Sequence, residues 1–494
     1  MPLLELASRV AGARVVVGPD FEVRRVIQDS RIAGPGDLFV ARRGQRSDGH
    51  DFAAAAARRG AAVALERPVP LPPRTAWMRL PDTRPGLAGL SAALCGRPGG
   101  RLLVVGVTGT NGKSTTTHLT AGVLESAGLP AGYLSTVAHH SPGATVGNDS
   151  GQTTMEPPEV QAWLARMVAE GARAAVLEAS SHALEQARLA ACDIDVAAFT
   201  SVTADHLEYH GSRQAYLRAK ARLIELCAAG ADKGVPKCAV LNRDDPAHEA
   251  LMRVPIRRRL TYGIDHPADV RATDLRASPV DTAFRLEADA ITADIRLPLP
   301  GRFNVANALC AVACGVALGL SVERLAAGLD GFTGLRGRLE RVDLGQPFAV
   351  YIDYAHSASG LASVLAEIRP AGGRLVAVFG ASSRSGGHDP AGMGRAAARH
   401  ADFFVITTDD PRDVDPGELA RQVEAGVGDR SPGRDYEVVL DRRKAIQRAV
   451  ALARPGDVVL LAGKGHERTL ELAGGSLPWD ERAEAVAALG EVAR

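Results

Sequence analysis

Apolar and polar positions in the first hundred residues alternate in short blocks. "DLFVA" (37–41) and "AAVALE" (61–66) are apolar runs of strand length, and "DFAAAAARRGA" (51–61) between them has helical character. The block ends at "CGRPGG" (95–100), a Gly/Pro break that reads as a linker. "RLLVVGV" (101–107) then predicts a buried strand, and "STTTHLTAGVLESAG" (114–128) predicts a helix that stops on glycine. Strand, Gly-rich turn and helix follow one another in the order a phosphate-binding βα unit needs. Further strands are expected at "AAVLEAS" (174–180), "VAAFTSV" (196–202) and "CAVLN" (238–242). The helices between and before them are "PPEVQAWLARMVAEG" (157–171) and "SRQAYLRAKARLIELCAAG" (212–230). That alternation predicts a mostly parallel α/β sheet. From about 256 to 300 the runs become short and alternating ("VRATDLRA", "TAFRLEA", "ITADIRLPL"), which predicts an antiparallel patch, and the helix "NVANALCAVACGVALGL" (304–320) follows. A second α/β region starts near 334, with "FAVYIDYA", "RLVAVFGAS", "DFFVITTDD" and "DVVLLAGKG", each followed by a helical pattern. The pattern divides the chain into three domains, 1–98, 99–333 and 334–494.

Composition narrows the class. A chain of 494 residues exceeds one ordinary core, and 46% hydrophobic with 23% charged residues reads as globular and soluble. A net charge of +1 gives no reason to expect a nucleic-acid partner. No run of 18 apolar residues appears, so no membrane span is expected. The opening "MPLLELASRV" lacks a basic start and a long apolar stretch, and the six cysteines form no C-x-x-C pair. Both point to a cytoplasmic protein with reduced thiols. Of 58 basic residues only six are lysine (Lys113, Lys220, Lys233, Lys237, Lys444 and Lys464). A lysine kept in so Arg-rich a chain suggests a need for an amine rather than for charge alone.

Three of those lysines lie in segments with chemistry. In "TGTNGKST" (108–115), glycines would let backbone N–H groups approach an anion at a helix start. Lys113 would reach terminal phosphates there and Ser114 a Mg²⁺. The spacing departs from the usual phosphate loop, since position 107 is Val. "LEASSH" (177–182), with Glu178 and His182 at a strand's carboxyl end, and "TADHLEYHG" (203–211) follow strands, so Glu178, Asp205, His206 and His210 would meet on one rim if those strands are neighbours. Carboxylate oxygens with one imidazole suit Mg²⁺ or Mn²⁺. Taken singly, each reads more readily as an ordinary cap or loop polar group, and Lys220 in "YLRAKARL" reads equally as a solvated helix lysine, with Asn304 in "GRFNVANA" as a helix cap. "YIDYAHS" (351–357, with Asp353 and His356), "TTDDPRD" (407–413) and "AGKGHE" (462–467) sit at strand ends of the second α/β region. Arg412 could fork a carboxylate there and Glu467 take an ammonium.

Together these segments resemble the Mur ligase family, the ATP-dependent amide-forming enzymes of peptidoglycan synthesis. The likeness runs through "QDSRIAGPGDLFVARRGQRSDGHDF", "GVTGTNGKST", "LEASSHALEQARL", "FTSVTADHLEYHGSRQAYLRAKARL", "LPGRFNVANALCA", "GRLERVD", "DYAHSASGL", "TTDDPR" and "GKGHE". It implies an α/β, three-domain architecture: an N-terminal domain for the uridine nucleotide, a central phosphate-loop domain for ATP, and a C-terminal Rossmann-like domain for the amino acid. It also implies addition of a diamino acid (meso-diaminopimelate, L-lysine or L-ornithine) to UDP-MurNAc-L-Ala-D-Glu through an acyl phosphate, by a cytoplasmic monomer using ATP and Mg²⁺. By the same resemblance Lys113, Glu178, His206 and Lys220 are catalytic. Lys220 would be carbamylated (N6-carboxylysine), sharing the metal with Ser114, Glu178 and His206. Gly109, Thr110, Asn111, Gly112, Lys113, Ser114, Thr115, Asn304, Arg338 and Asp353 would hold ATP. Ser30 with the "RRGQRSDG" loop, and Thr153, Thr154, Ser180, Gln186 and Arg188, would hold the uridine-linked dipeptide. Arg384, Asp409, Asp410, Pro411, Arg412, Gly463 and Glu467 would line the amino-acid site.

Two departures from the family pattern stand out. The loop "GASSRSGGHDPAGMG" (380–394) lacks the acidic residues that usually flank its arginine, and His388 and Asp389 stand where basic residues are usual. "DDPR" replaces the D-N-P-R of diaminopimelate-using members, so Arg412 favours a distal carboxylate while Asp410 favours a distal cation. Two other readings compete: a related ligase on another acceptor, of folylpolyglutamate type, and a nucleotide-binding scaffold without catalysis.

Overall fold

A computed structural model describes residues 1–44, 47–203, 205–383 and 389–492. The chain forms two compact units, one of Met1–Thr203, Gln214–Arg271 and Leu309–Gly328, the other of Ala204–Arg213, Ala272–Ala308 and Leu329–Arg494. Among the described residues no helix is long and apolar enough to cross a membrane.

The first unit opens with five short strands, β1 (Arg14–Val17), β2 (Arg25–Ile27), β3 (Asp37–Val40), β4 (Ala62–Leu65) and β5 (Trp77–Arg79), ordered β1-β5-β4-β3-β2. Every residue of β3 and β4 is buried, as their unbroken apolar runs require. A larger sheet follows: β6 (Leu103–Thr108), β7 (Ala131–Leu134), β8 (Ala138–Ser141), β9 (Ala144–Gly147), β10 (Ala174–Glu178), β11 (Val196–Phe199), β12 (Cys238–Asn242) and β13 (Arg258–Gly263). Their order is β13-β12-β11-β6-β10-β7-β8-β9. β10 and β11 flank β6 in parallel, with Glu178 opposite Val107 and Phe199 opposite Thr108. The three segments that leave these strands therefore emerge at one edge of the sheet.

The Gly/Pro break before β6 is a pinned turn. Lys233 Nζ donates to the carbonyls of Gly99 (3.0 Å), Leu102 (2.7 Å) and Asp193 (2.5 Å) and pairs with the fully buried Asp195 carboxylate. Lys237 Nζ adds a second contact to Asp195 at 2.8 Å, and the Val104 N–H a third at 2.7 Å. A compact ammonium can serve several carbonyls at once, which a planar guanidinium cannot do in the same space.

The three alternating runs expected between 256 and 300 are strands. β14 (Val270–Ala277) pairs in parallel with β13 at its first residues, Tyr262 opposite Val270, and neighbours β15 (Thr282–Ala288) after a four-residue connection, while β15 pairs antiparallel with β16 (Ile291–Leu297). In the loop before β14 the N–H groups of Ile264, Asp265 and His266 all donate to Asp244.

The second unit holds β15, β16 and a six-stranded sheet: β17 (Glu340–Val342), β18 (Ala349–Asp353), β19 (Leu375–Phe379), β20 (Phe403–Ile406), β21 (Tyr436–Val438) and β22 (Val458–Ala462). Its order is β17-β18-β22-β19-β20-β21, and all pairs but β17–β18 are parallel. One face packs on the helices Ala358–Glu367, Pro390–His400 and Pro416–Glu424, the other on Arg442–Leu452 and Glu481–Val492. The helix expected directly after β22 is preceded by a hairpin, β23 (Thr469–Leu472) and β24 (Gly475–Pro478). Its strands are mostly exposed, so they lack the apolar signal that marks the others.

Candidate active site

In the first unit the turn after β6 is anchored to the end of β11. The Thr110 N–H donates to the Ser201 carbonyl at 2.5 Å, and Thr200 Oγ1 donates to the Asn111 carbonyl at 2.6 Å. A Cβ at Gly109 would collide with Thr200 Oγ1, and Gly112 has φ +83° at the start of the helix Lys113–Ser126, so both positions need glycine. Thr115 is buried in the first turn of that helix.

Two amines close on carbonyls of this turn: Lys113 Nζ donates to Thr110 O at 3.0 Å, and Lys220 Nζ to Gly109 O at 2.6 Å. Lys220 is 1% exposed and lies over the Tyr216 ring at 4.6 Å, so it is no solvated surface lysine. Ser114 Oγ donates to both oxygens of Glu178, at 3.1 and 3.0 Å, and Thr136 meets the same carboxylate through its N–H (2.8 Å) and hydroxyl (3.0 Å). These hydroxyl and carboxylate oxygens are a hard donor set suited to a small divalent cation. Among the described residues no cluster of three or more His, Cys, Asp or Glu could hold a metal unaided.

Beyond Glu178, Thr154 Oγ1 donates to the Glu178 carbonyl (2.7 Å) and accepts from the Ser180 N–H (3.0 Å). Ser180 caps the short helix Ser181–Glu185. Thr153, Thr154 and Glu178 line one small hollow with Leu134 and Met155. Arg188 bonds to Gln186, Gln152 and the Thr154 carbonyl. Ser30 opens the short turn Ser30–Ile32 just after β2, a separate part of this unit. Gln45 and Arg46 of the "RRGQRSDG" loop lie outside the described residues.

His206 belongs to the second unit, in a left-handed conformation (φ +50°) between Asp205 and Glu208, at 3.6 and 3.5 Å. Asn304 Nδ2 donates to the Pro300 carbonyl and Asn304 Oδ1 accepts from Asn307 Nδ2, and both asparagines are buried. The strand ends of β18, β20 and β22 form a second cluster. Asp353 accepts from the N–H groups of Leu339 and Ala355, each at 2.8 Å, and burial pushes its carboxyl above the usual range against the pull of Arg338.

A continuous chain of contacts links that site to "DDPR". Arg338 lies over the Tyr354 ring at 4.7 Å, and Tyr354 OH donates to Glu467 at 3.2 Å. Lys464 Nζ then bridges Glu467 at 2.6 Å and Asp410 at 2.7 Å. Asp410 and Arg412 both have positive φ, and the hairpin holds them: the Glu471 N–H donates to Asp410 Oδ1, and the Arg412 N–H to the Glu471 carbonyl. Pro411 between them is buried. Gly463 is needed because a Cβ there would strike Asp409 Oδ2. Arg384 and His388 lie outside the described residues.

Sequence reasoning missed Thr136, Tyr216, Tyr354 and Lys464 as members of these clusters. Lys464 had a signal, being one of only six lysines. Thr136 and Tyr354 depend on partners far away in the chain, and Tyr216 lies one helical turn before Lys220.

Burial pushes the Asp409 carboxyl up to about 6, despite Arg442 and Lys464 nearby. An acid held above its unfolded value binds its proton more tightly in the folded chain, so its contribution to stability is lost as pH rises from about 4 to about 6. Asp409→Asn is expected to remove that loss. Thermal melts across this window should show the variant gaining about 1–3 kcal/mol on the wild type as pH rises. A difference independent of pH would refute the assignment.

Known proteins align along nearly the whole chain. The profile of the Mur ligase middle domain matches residues 107–315, that of the Mur ligase, glutamate ligase domain residues 337–465, and that of the Mur ligase family, catalytic domain residues 22–70. The chain is 43% identical to a UDP-N-acetylmuramyl-tripeptide synthetase of Roseiflexus sp. (strain RS-1), covering 95% of each. It is 39% identical to a UDP-N-acetylmuramoyl-L-alanyl-D-glutamate--2,6-diaminopimelate ligase of Geobacillus thermodenitrificans (strain NG80-2), covering 99% of this chain and 100% of that one. A solved structure of a ligase of this second kind superposes with a TM-score of 0.70 at 28% identity, covering 100% of this chain and 99% of that one.

Proposed function

The chain belongs to the Mur ligase family, and from that premise we propose that it joins a diamino acid to the D-glutamate of UDP-MurNAc-L-Ala-D-Glu. It is an ATP-dependent amide ligase with the family's three α/β domains. We place their limits at 1–98, 99–333 and 334–494.

The observation that carries the reading is the pairing of Ser114 with Glu178 at the helix start behind the phosphate turn, with Lys113 and Lys220 closing on the same turn. The D-glutamate carboxylate attacks the γ-phosphorus of ATP and ADP leaves. The amine of the diamino acid then attacks the acyl carbon, phosphate leaves with the acyl–oxygen bond, and the amine gives up a proton. Such a transfer needs in-line positioning and neutralised charge rather than covalent help from the protein. Lys113 would neutralise the terminal phosphates, and the turn at Gly109, Thr110, Asn111 and Gly112 would cradle them. Ser114 and Glu178, with His206 and Lys220 as its carbamate, are the residues that would hold Mg²⁺, which when bound adds charge neutralisation at the phosphates.

Asn304, Arg338 and Asp353 are assigned to ATP, and Ser30, Thr153, Thr154, Ser180, Gln186 and Arg188 to the uridine-linked dipeptide. Asp409, Asp410, Pro411, Arg412, Gly463 and Glu467 are assigned to the amino acid, as is Arg384. The charge of Asp410 is already matched by Lys464, which leaves Arg412 to take a distal carboxylate and Glu467 an ammonium.

The test is phosphate release with Mg-ATP and UDP-MurNAc-L-Ala-D-Glu, in parallel with meso-diaminopimelate, L-lysine, L-ornithine or no amino acid, product masses being read by mass spectrometry. Turnover and a tripeptide mass with one amino acid is the expected result and names the third residue. Folded protein that binds ATP yet releases no phosphate with any of them would overturn the reading.

A further inference from the structure

Glu156 belongs to none of the motifs, yet it sits between two of them. It precedes Pro157, the first residue of the helix Pro157–Ala169, so its carboxylate lies at a helix start. Two arginines from distant parts of the chain share it. Arg188 Nη2 reaches Oε1 at 2.8 Å and Arg42 Nη1 reaches Oε2 at 3.0 Å. The three side chains are only 12–20% exposed. Arg42 begins the loop assigned to the uridine nucleotide, and Arg188 is assigned to the dipeptide.

The remaining N–H groups of Arg188 are also engaged. Nη1 donates to Gln152 Oε1 at 2.8 Å and to the Thr154 carbonyl at 2.6 Å, while Nε and Nη2 donate to Gln186 Oε1 at 3.3 and 3.0 Å. Glu156 is the only anion among these acceptors. A ligand carboxylate that exchanges for a neutral acceptor leaves the anionic anchor in place.

We infer that Glu156 is a positioning residue for the acceptor substrate. It holds Arg42 and Arg188 together against their mutual repulsion, so that the nucleotide end and the dipeptide end of one molecule are met at a fixed separation. The inference rests on the acceptor proposed above. Only a carboxylate can serve both guanidinium groups; a glutamine would turn an NH₂ toward one of them. Removing the shared anion leaves two half-buried cations side by side with no negative charge between them.

The experiment is steady-state kinetics of E156Q beside the wild type, each substrate varied in turn. The KM for UDP-MurNAc-L-Ala-D-Glu should rise on the order of tenfold, the loss of one charge-assisted contact. kcat should stay within about twofold and the KM for ATP should not move. R42Q should raise the acceptor KM likewise, and R42Q/E156Q no further than the larger single effect, because both remove the same coupling. R42Q also serves as the readout should E156Q fail to fold. An unchanged acceptor KM in folded E156Q overturns the role. So does a lowered KM, which would make the carboxylate a competitor of substrate, and so does a common shift of every KM with the melting temperature, which would make it scaffold. Wild-type turnover in the same assay tests the ligase reading separately. Calorimetric titration of the acceptor into wild type and E156Q reads the role of Glu156 without turnover.

Discussion

Lys220→Arg is expected to lower turnover on the order of 10²–10³-fold, the scale seen when one preorganised charge is taken from a transition state. The substitution is chosen because it separates two roles. As a donor, Lys220 binds the Gly109 carbonyl at 2.6 Å and stacks on Tyr216. Arginine keeps the positive charge and the donors for both. What arginine cannot do is add CO₂: the neutral amine forms an N–C bond, releases a proton and becomes an anionic oxygen donor. Loss of activity in a folded Lys220→Arg protein that still binds ATP would therefore single out the amine chemistry. Wild-type activity should also fall when dissolved CO₂ is stripped from the buffer and return with bicarbonate. Activity of the arginine variant within tenfold of wild type would mean that Lys220 only braces the turn.

Arg442→Met is expected to destabilise the second unit by about 3–5 kcal/mol, the cost of leaving a buried charge without its partner. Arg442 and Glu481 are both fully buried and meet at 2.6 Å. The guanidinium also donates to the Thr408 carbonyl (3.2 Å) and the Ala462 carbonyl (2.8 Å), and Glu481 takes the Trp479 indole N–H at 2.6 Å. Thr408 precedes Asp409 and Ala462 precedes Gly463, so one side chain fixes the spacing of the two loops that form the amino-acid cluster. Urea unfolding should give a large loss for Arg442→Met and for Glu481→Leu, and a double variant much less unstable than the sum. Additive losses would show that the pair is not coupled. Because the loops are tied through Arg442, the single variant should also raise the KM for the amino acid more than that for ATP.

What could be read from the sequence was local. The run "CAVLN" predicts a strand at 238–242 and β12 occupies just those residues, because a buried parallel strand is apolar throughout. The phosphate turn was legible because Gly109 and Gly112 mark places where no side chain fits. Glu178 and Ser114 lie 64 positions apart, and only the strand alternation implied that they meet. Thr136, 42 positions before Glu178, gave no such sign, since an isolated threonine after a short strand is unremarkable in composition. The ion pair of Arg442 with Glu481 and the three-way contact at Glu156 were hidden for the same reason: a charged residue in sequence looks solvated until its partner is known. The hairpin β23–β24 was missed because it is held by its pairing and by Arg412 and Asp410, and not by an apolar face.

The placement of the six lysines has a practical consequence. Lys233 and Lys237 are spent on Asp195 and the turn before β6, and Lys220 and Lys464 are buried in their clusters, with Lys113 half-buried behind the phosphate turn. Only Lys444 stands in water, its side chain 73% exposed. Among its lysines the protein therefore offers amine-reactive reagents one fully exposed side chain, beside the α-amino group of Met1 paired with Glu22. A dye or surface tether aimed at lysine attaches first at one known position on the helix Arg442–Leu452, ahead of the half-buried Lys113.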